Sequence, residues 1–235
     1  LVRCPYSHAK VLSIDVSEAE KVPGFLGCAL PEEAPQAYFN CSGNPPSPLL
    51  MADEKVLTTE PLTIGEHSTS RAGVCEDDVV FILGTGTIGT IIAQACKLKG
   101  AKTVICCDIS DSSLERSKQF GADYTVNSKT QDIVAEVQKI TNGHGCTVAF
   151  DSACFPGSLT MIMQPGIVCN AGRVVPMGFC TVPEKITQQM INGRELTICG
   201  TRMSLNQWVP TAQKMAEGKY HMEGLATTFV KFSEI

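Results

Sequence analysis

Three glycines and one acid, Gly84, Gly86, Gly89 and Asp108, have the spacing in this chain that most directly implies chemistry. In Gly84-Thr85-Gly86-Thr87-Ile88-Gly89 the first glycine permits a tight turn. The second lets the backbone approach a pyrophosphate that a Cβ would obstruct. The third lets a helix sit close to a strand. Thr87 and Ile88 begin that helix, whose free N–H groups and positive dipole end face the phosphates. Asp108 follows at the distance expected of an acid that accepts hydrogen bonds from both adenosine ribose hydroxyls. Its charge would repel a 2′-phosphate, so the pattern favours NAD over NADP. Ser152 and Gly178 close later strands and are expected to line the nicotinamide half of the same site.

The motif carries this meaning only between a strand and a helix, and the flanking residues supply both. Val79-Val80-Phe81-Ile82-Leu83 is a β-branched and aromatic run, the pattern of a strand buried on both faces. Ile88, Ile91, Ile92, Ala95 and Leu98 follow at helical spacing, and Lys99-Gly100 ends the helix. A second buried run, Thr103 to Cys107, stops at Asp108. Beyond it come a helix over 112–120, with Asp111 as its N-cap, a strand at Tyr124-Thr125-Val126 and a helix marked by Ile133, Val134, Val137 and Ile140. Thr147 to Phe150, Gly172 to Gly178 and Leu196 to Gly200 read as three further strands. Met161 to Met163 reads as a helix, and Trp208 to Glu217 as the last one. Strands alternating with helices specify an α/β fold, a doubly wound parallel sheet.

The chain has 235 residues and a formal net charge of −5, with no basic block. That argues against nucleic acid or an anionic membrane surface as partner. No apolar run approaches bilayer-spanning length and no signal peptide is evident, which points to a cytoplasmic protein. Leu1 is not a start methionine, so the chain reads as a fragment or as processed. The 12 cysteines form no CxxC and no zinc-finger spacing with histidine. Several fall in buried runs, where Cys behaves as a small apolar residue. Adjacent Cys106 and Cys107 are expected on opposite faces of their strand.

From residue 59 onward the chain resembles the cofactor domain of zinc-type medium-chain dehydrogenase/reductases, in their sorbitol, polyol and threonine dehydrogenase branch. Glu60-Pro61-Leu62-x-x-Gly65, Arg71-Ala72-Gly73-Val74, the glycine turn and Gly121-Ala122-Asp123 carry it in order. The resemblance implies a Rossmann domain over 59–235 that binds NAD(H). It also implies hydride exchange with an alcohol or polyol, and a homodimer paired through the sixth strand. Glu60 matches the family's glutamate beside the catalytic zinc, but the Cys and His-Glu ligands expected of the family are absent, so no zinc site is expected. Where relatives often place Arg or Lys over the adenosine, this chain has Ser113. The domain also lacks the family's closing strand and helix. Little or no alcohol oxidation by the chain alone is therefore expected.

Residues 1–58 differ in texture. Val11 to Val16 alternates like a strand, Ser17 to Glu20 starts a short helix, and 31–48 is a loop rich in Pro, Gly and Asn. Leu1-Val2-Arg3-Cys4-Pro5-Tyr6-Ser7-His8-Ala9-Lys10 and its continuation, with Leu50 to Val56, resemble the hammerhead segment of the molybdenum subunit of xanthine dehydrogenases and aldehyde oxidases. That resemblance implies a small irregular α/β scaffold without hydroxylase chemistry. Two other readings of the whole stay open: a dinucleotide-binding module without catalysis, and a partner or fragment of a molybdenum hydroxylase.

Overall fold

The computed structural model describes residues 56–221 and 223–225, and before them Ser17, Lys21, Tyr38–Phe39 and Ser47–Pro48. The strand over 11–16, and nearly all of the hammerhead-like segment, lie outside the described residues. Within the expected loop over 31–48, β1 (Tyr38–Phe39) and β2 (Ser47–Pro48) pair antiparallel, Tyr38 opposite Pro48.

The remainder alternates helix and strand: α1 (Val56–Arg71), β3 (Val79–Leu83), α2 (Thr87–Leu98), β4 (Thr103–Asp108), α3 (Asp111–Gln119), β5 (Tyr124–Asn127) and α4 (Ile133–Ile140). Then come β6 (Cys146–Asp151), α5 (Ser158–Ile162), β7 (Val168–Pro176), α6 (Gln188–Asn192), β8 (Thr197–Ile198) and α7 (Trp208–Ala216). Six strands form one sheet in the order β5-β4-β3-β6-β7-β8, every neighbouring pair parallel. The chain works outward from β3 to one edge, then returns to start the other half at β6. The strand order therefore reverses between β3 and β6, and a doubly wound sheet opens its ligand crevice at that reversal, beyond the carboxyl ends of the strands.

Both faces of the sheet are covered, which is why its strands read as unbroken apolar runs. Val80, Ile82, Val104, Cys106, Val148, Phe150 and Val175 point to the side packed by Ile92, Ala93 and Cys96 of α2. Phe81, Leu83, Ile105, Cys107, Ala149 and Val174 point to the other, under Val137 of α4 and Ile162 of α5. Cys106 and Cys107 do fall on opposite faces. Each fully buried aliphatic or aromatic side chain stabilises the fold by roughly 1.5–3 kcal/mol.

Helix α1 lies along α2 at close range, because a Cβ on Gly65 would come within 2.5 Å of Ile91 Cγ2. Beside that contact Glu66, 2 % exposed, accepts hydrogen bonds from Lys214 Nζ of α7 and from the Tyr220 hydroxyl, both at 2.5 Å. Lys99 Nζ stands 3.4 Å away. Burial pushes the Glu66 carboxyl up, but those hydrogen bonds and the two lysine charges outweigh it and leave it lowered. Asp78 at the start of β3 forms a second tie. It pairs with Arg173 of β7, accepts from Thr147 Oγ1 of β6 at 2.6 Å and accepts from the Cys75 amide at 2.9 Å.

Four expectations need correction. The N-cap of α3 is Ser110, whose hydroxyl accepts from the Ser113 amide at 3.3 Å. Asp111 lies inside the helix, its carboxylate taken by Asn127 Nδ2 at 2.5 Å. Strand β7 begins at Val168, earlier than the expected Gly172, because a bulge in its pairing with β6 between Cys146 and Val148 hides the alternation. Strand β8 shrinks to Thr197–Ile198. Helix α6, capped by Thr187, was not expected, and five residues are too few to show a period.

Candidate functional site at the strand-order reversal

The glycine turn lies where the sheet requires it. Leaving β3, Gly84 has φ +90°, donates its N–H to Cys107 O of β4 at 2.7 Å, and is hemmed in by β6. A Cβ there would meet the Ala153 amide nitrogen at 2.8 Å. The Ser152 amide donates to Leu83 O at 2.8 Å, so the turn is gripped from both neighbouring strands. A Cβ on Gly89 would lie 1.9 Å from Gly84 O, so the first turn of α2 rests on the carbonyl of the turn before it. Gly86, the N-cap of α2, is different. No side chain caps the helix there, and nothing lies within 4 Å of where its Cβ would be. The space over Gly86 at the start of α2 is therefore open, the geometry that suits an anion.

Asp108 ends β4 and reaches back to this turn. Its Oδ2 accepts from the Thr85 amide at 2.7 Å and from the Thr85 hydroxyl at 3.0 Å, and its Oδ1 accepts from the Ser110 amide at 3.0 Å. Its carbonyl accepts from the Ser128 amide at 3.0 Å. The acid is thus held from β3, from its own following loop and from the end of β5. Ser113 is half-buried in the first turn of α3.

The other half of the crevice lies beyond β6 and β7. Asp151, buried, accepts from the Ala153 and Cys154 amides at 3.2 and 3.1 Å and from the Ser158 hydroxyl at 2.5 Å. In this turn Cys154 lies in the left-handed region at φ 51°. The Met177 amide donates to Asp151 O at 3.0 Å, tying the loop after β7 to the loop after β6. Gly178 then lies on Cys154, since its Cβ would come within 1.9 Å of Cys154 Sγ. A cavity of about 210 Å³ opens beside them, lined among others by Asp151, Cys154, Gly178, Cys180 and Glu184. Burial pushes the Glu184 carboxyl up, but bonds from the Thr160 hydroxyl and nearby amides together outweigh it and leave it lowered. The Ser152 hydroxyl is buried and has no hydrogen-bond partner, an orphan group of the kind a bound ligand satisfies.

These positions fit an elongated ligand carrying phosphates and a ribose: open space over Gly86, a carboxylate with spare acceptor capacity, and an unsatisfied hydroxyl at the far end. Sequence reasoning named Gly84, Gly86, Thr87, Ile88, Gly89, Asp108, Ser152 and Gly178, and the structure gathers all of them along the carboxyl ends of β3, β4, β6 and β7. It did not name Thr85, Asp151 or Cys154. Asp151 ends a buried strand, as Asp108 does, and that was its available signal.

No metal centre accompanies this arrangement among the described residues, since no three His, Cys, Asp or Glu side chains converge to hold one. Glu60 lies half-buried on α1, its carboxyl pushed up by burial. His67, also on α1, is pushed down by burial and by the Arg71 charge. No helix of the described residues is long and apolar enough to cross a membrane.

Residues 87–217 match the family model described as zinc-binding dehydrogenase. The starvation-sensing protein RspB of Escherichia coli K12 is 32% identical over 189 residues, covering 80% of this chain and 55% of that protein. A (R,R)-butanediol dehydrogenase of Neisseria gonorrhoeae is 30% identical over 178 residues, covering 75% and 49%. Among solved structures, an alcohol dehydrogenase (rspB) from Escherichia coli CFT073, complexed with the cofactor NADH, superposes with a TM-score of 0.66 at 32% identity. It covers 72% of this chain and 50% of that one. The chain spans about half the length of the curated relatives it matches. None of these relatives is a molybdenum hydroxylase, and the resemblance of residues 1–58 to that family lies on residues almost wholly outside those described.

Proposed function

The chain belongs to the zinc-binding dehydrogenase family, and from that membership we propose that residues 59–235 are the NAD(H)-binding domain of an alcohol or polyol dehydrogenase. Bound NAD supplies the acceptor for a hydride, at nicotinamide C4. The chain's own residues seat it. The amides at Gly86, Thr87 and Ile88 receive the pyrophosphate, with Gly84 and Gly89 shaping the turn that presents them. Asp108 accepts from the adenosine ribose and repels a 2′-phosphate. Ser152 and Gly178 border the nicotinamide. The observation that carries the reading is the Asp108 carboxylate, drawn onto the glycine turn at the reversal of strand order. The zinc expected of the family finds no convergent ligand set among the described residues.

Calorimetric titration with NADH tests this, with Asp108→Ala as control and NADPH as comparison. Binding of NADH in the micromolar range, lost in Asp108→Ala and much weaker for NADPH, is the expected result. A folded protein that takes up neither nucleotide would refute it. A second reading, a dinucleotide-binding module without catalysis, draws on the missing convergence of metal ligands. Zinc-dependent NADH formation from a vicinal diol or a polyol would exclude it. Strand β8, exposed at the edge of the sheet, supports a homodimer formed by edge pairing, which light scattering on the eluting protein would detect. A cytoplasmic location fits the unpaired thiols.

A further inference from the structure

We propose that Thr85 is a positioning residue for nucleotide selection: its hydroxyl locks one oxygen of the Asp108 carboxylate inward and leaves the other to meet the ribose. The inference rests on the cofactor reading above and assigns a role to a position inside the glycine motif that the spacing alone leaves undefined.

A carboxylate offers about four acceptor positions. In Asp108 three are already filled. Oδ2 takes both Thr85 donors, the amide at 2.7 Å and the hydroxyl at 3.0 Å, and is saturated. Oδ1 takes the Ser110 amide at 3.0 Å and keeps one position open. On this reading the position left open on Oδ1 is the one that meets the ribose. Thr85 has no freedom to turn aside. It is fully buried, and its own carbonyl accepts from the Thr90 hydroxyl at 3.1 Å, itself 1 % exposed. The backbone of Asp108 is fixed by Ser128. The remaining freedom is rotation of the carboxylate about its last torsion, which is broad and roughly two-fold for Asp. The Thr85 amide and hydroxyl converge on Oδ2, two donors against the single Ser110 amide on Oδ1. Without the hydroxyl each oxygen keeps one amide donor, the hold of the turn on Oδ2 is halved, and the open position on Oδ1 and the negative charge are held less firmly where the ribose or a 2′-phosphate would meet them.

The test compares NADH and NADPH affinities, read by nucleotide fluorescence, in the unaltered chain, Thr85→Val and Thr85→Ser. Thr85→Val keeps the shape and removes the donor. NADH affinity is expected to fall about tenfold, the loss of one hydrogen bond to a charged group. NADPH affinity is expected to hold or rise, so that the preference for NADH shrinks at least tenfold. Thr85→Ser restores the donor and both values. Equal losses for the two nucleotides, or no change, would overturn the assignment, since a purely structural role cannot distinguish a ribose hydroxyl from its phosphate. If the unaltered chain binds neither nucleotide, the cofactor reading fails first and this inference with it. Thr85→Ala carries the same comparison if the valine variant does not fold.

Discussion

Gly86 and Gly89 share a side chain and face opposite constraints. A methyl on Gly89 would have to occupy space 1.9 Å from Gly84 O, so the α2 backbone must move. Gly89→Ala is expected to lower the free energy of unfolding by about 1–3 kcal/mol, read from the urea midpoint. Gly86→Ala puts its methyl into open space at φ −63°, a conformation any residue adopts, and should leave that midpoint unchanged while weakening NADH binding. A shared loss of stability would remove the distinction between a glycine kept for packing and one kept for a ligand. The packing role of Gly89 was legible in the spacing, because the strand and helix around the motif dictate what it must clear, and the open space at Gly86 agrees with the role proposed for it. Thr85 was not legible. Its part depends on hydrogen bonds to a residue 23 positions away, and such bonds follow no period. Asp151 differs, since its place at the end of a buried strand was visible and only its partners, the Ala153 and Cys154 amides and the Ser158 hydroxyl of the following turn, were not.

Among the elements, the long buried ones could be read and the short or distorted ones could not. Strands β3 and β4 and helices α2 and α4 carry enough periodic residues to declare themselves. Helix α6 and the first half of β7 do not, the former through brevity and the latter through its bulge. The join between α1, α2 and α7 was also invisible, since it depends on one buried acid and three donors far apart in sequence. It makes a prediction about pH. Glu66 is held below its ordinary value of 4.5, so its contribution is complete above that value and is lost as pH falls below it. Tyr220 is raised above 10.0, by burial first and then by its bond to Glu66, so its contribution is complete below pH 10 and is lost as pH rises beyond it. Tyr220→Phe leaves a buried carboxylate oxygen short of a donor and should reduce unfolding free energy by about 1–3 kcal/mol at pH 7. That gap between the two proteins should narrow above pH 10. A gap constant from pH 7 to 11 would show that the hydroxyl does not carry it.

Over the whole molecule, the two-sided sheet sorts the cysteines by reactivity. Cys96, Cys106, Cys107 and Cys146 are buried, and burial pushes all four thiols up, to about 12 for Cys106 and Cys107. Cys75 and Cys180 are exposed. A thiol reagent at pH 8 should modify Cys75 and Cys180 in the folded protein within minutes and reach the four buried ones only in denaturant, as peptide mapping would record. Rapid labelling of Cys106 in native buffer would mean that the sheet opens far more often than its packing implies. The sheet has one more consequence, for how the site comes into being. The half of the crevice at Asp108 closes across the 23 residues from Thr85 to Asp108. The half at Ser152 needs β6 beside β3, a closure of 69 residues from Asp78 to Thr147. Loop-closure entropy grows with the logarithm of that length, so the longer closure costs about 1 kcal/mol more. One crevice thus has two assembly times: a local half available as soon as a single βαβ unit condenses, and a distant half that waits for the chain to return.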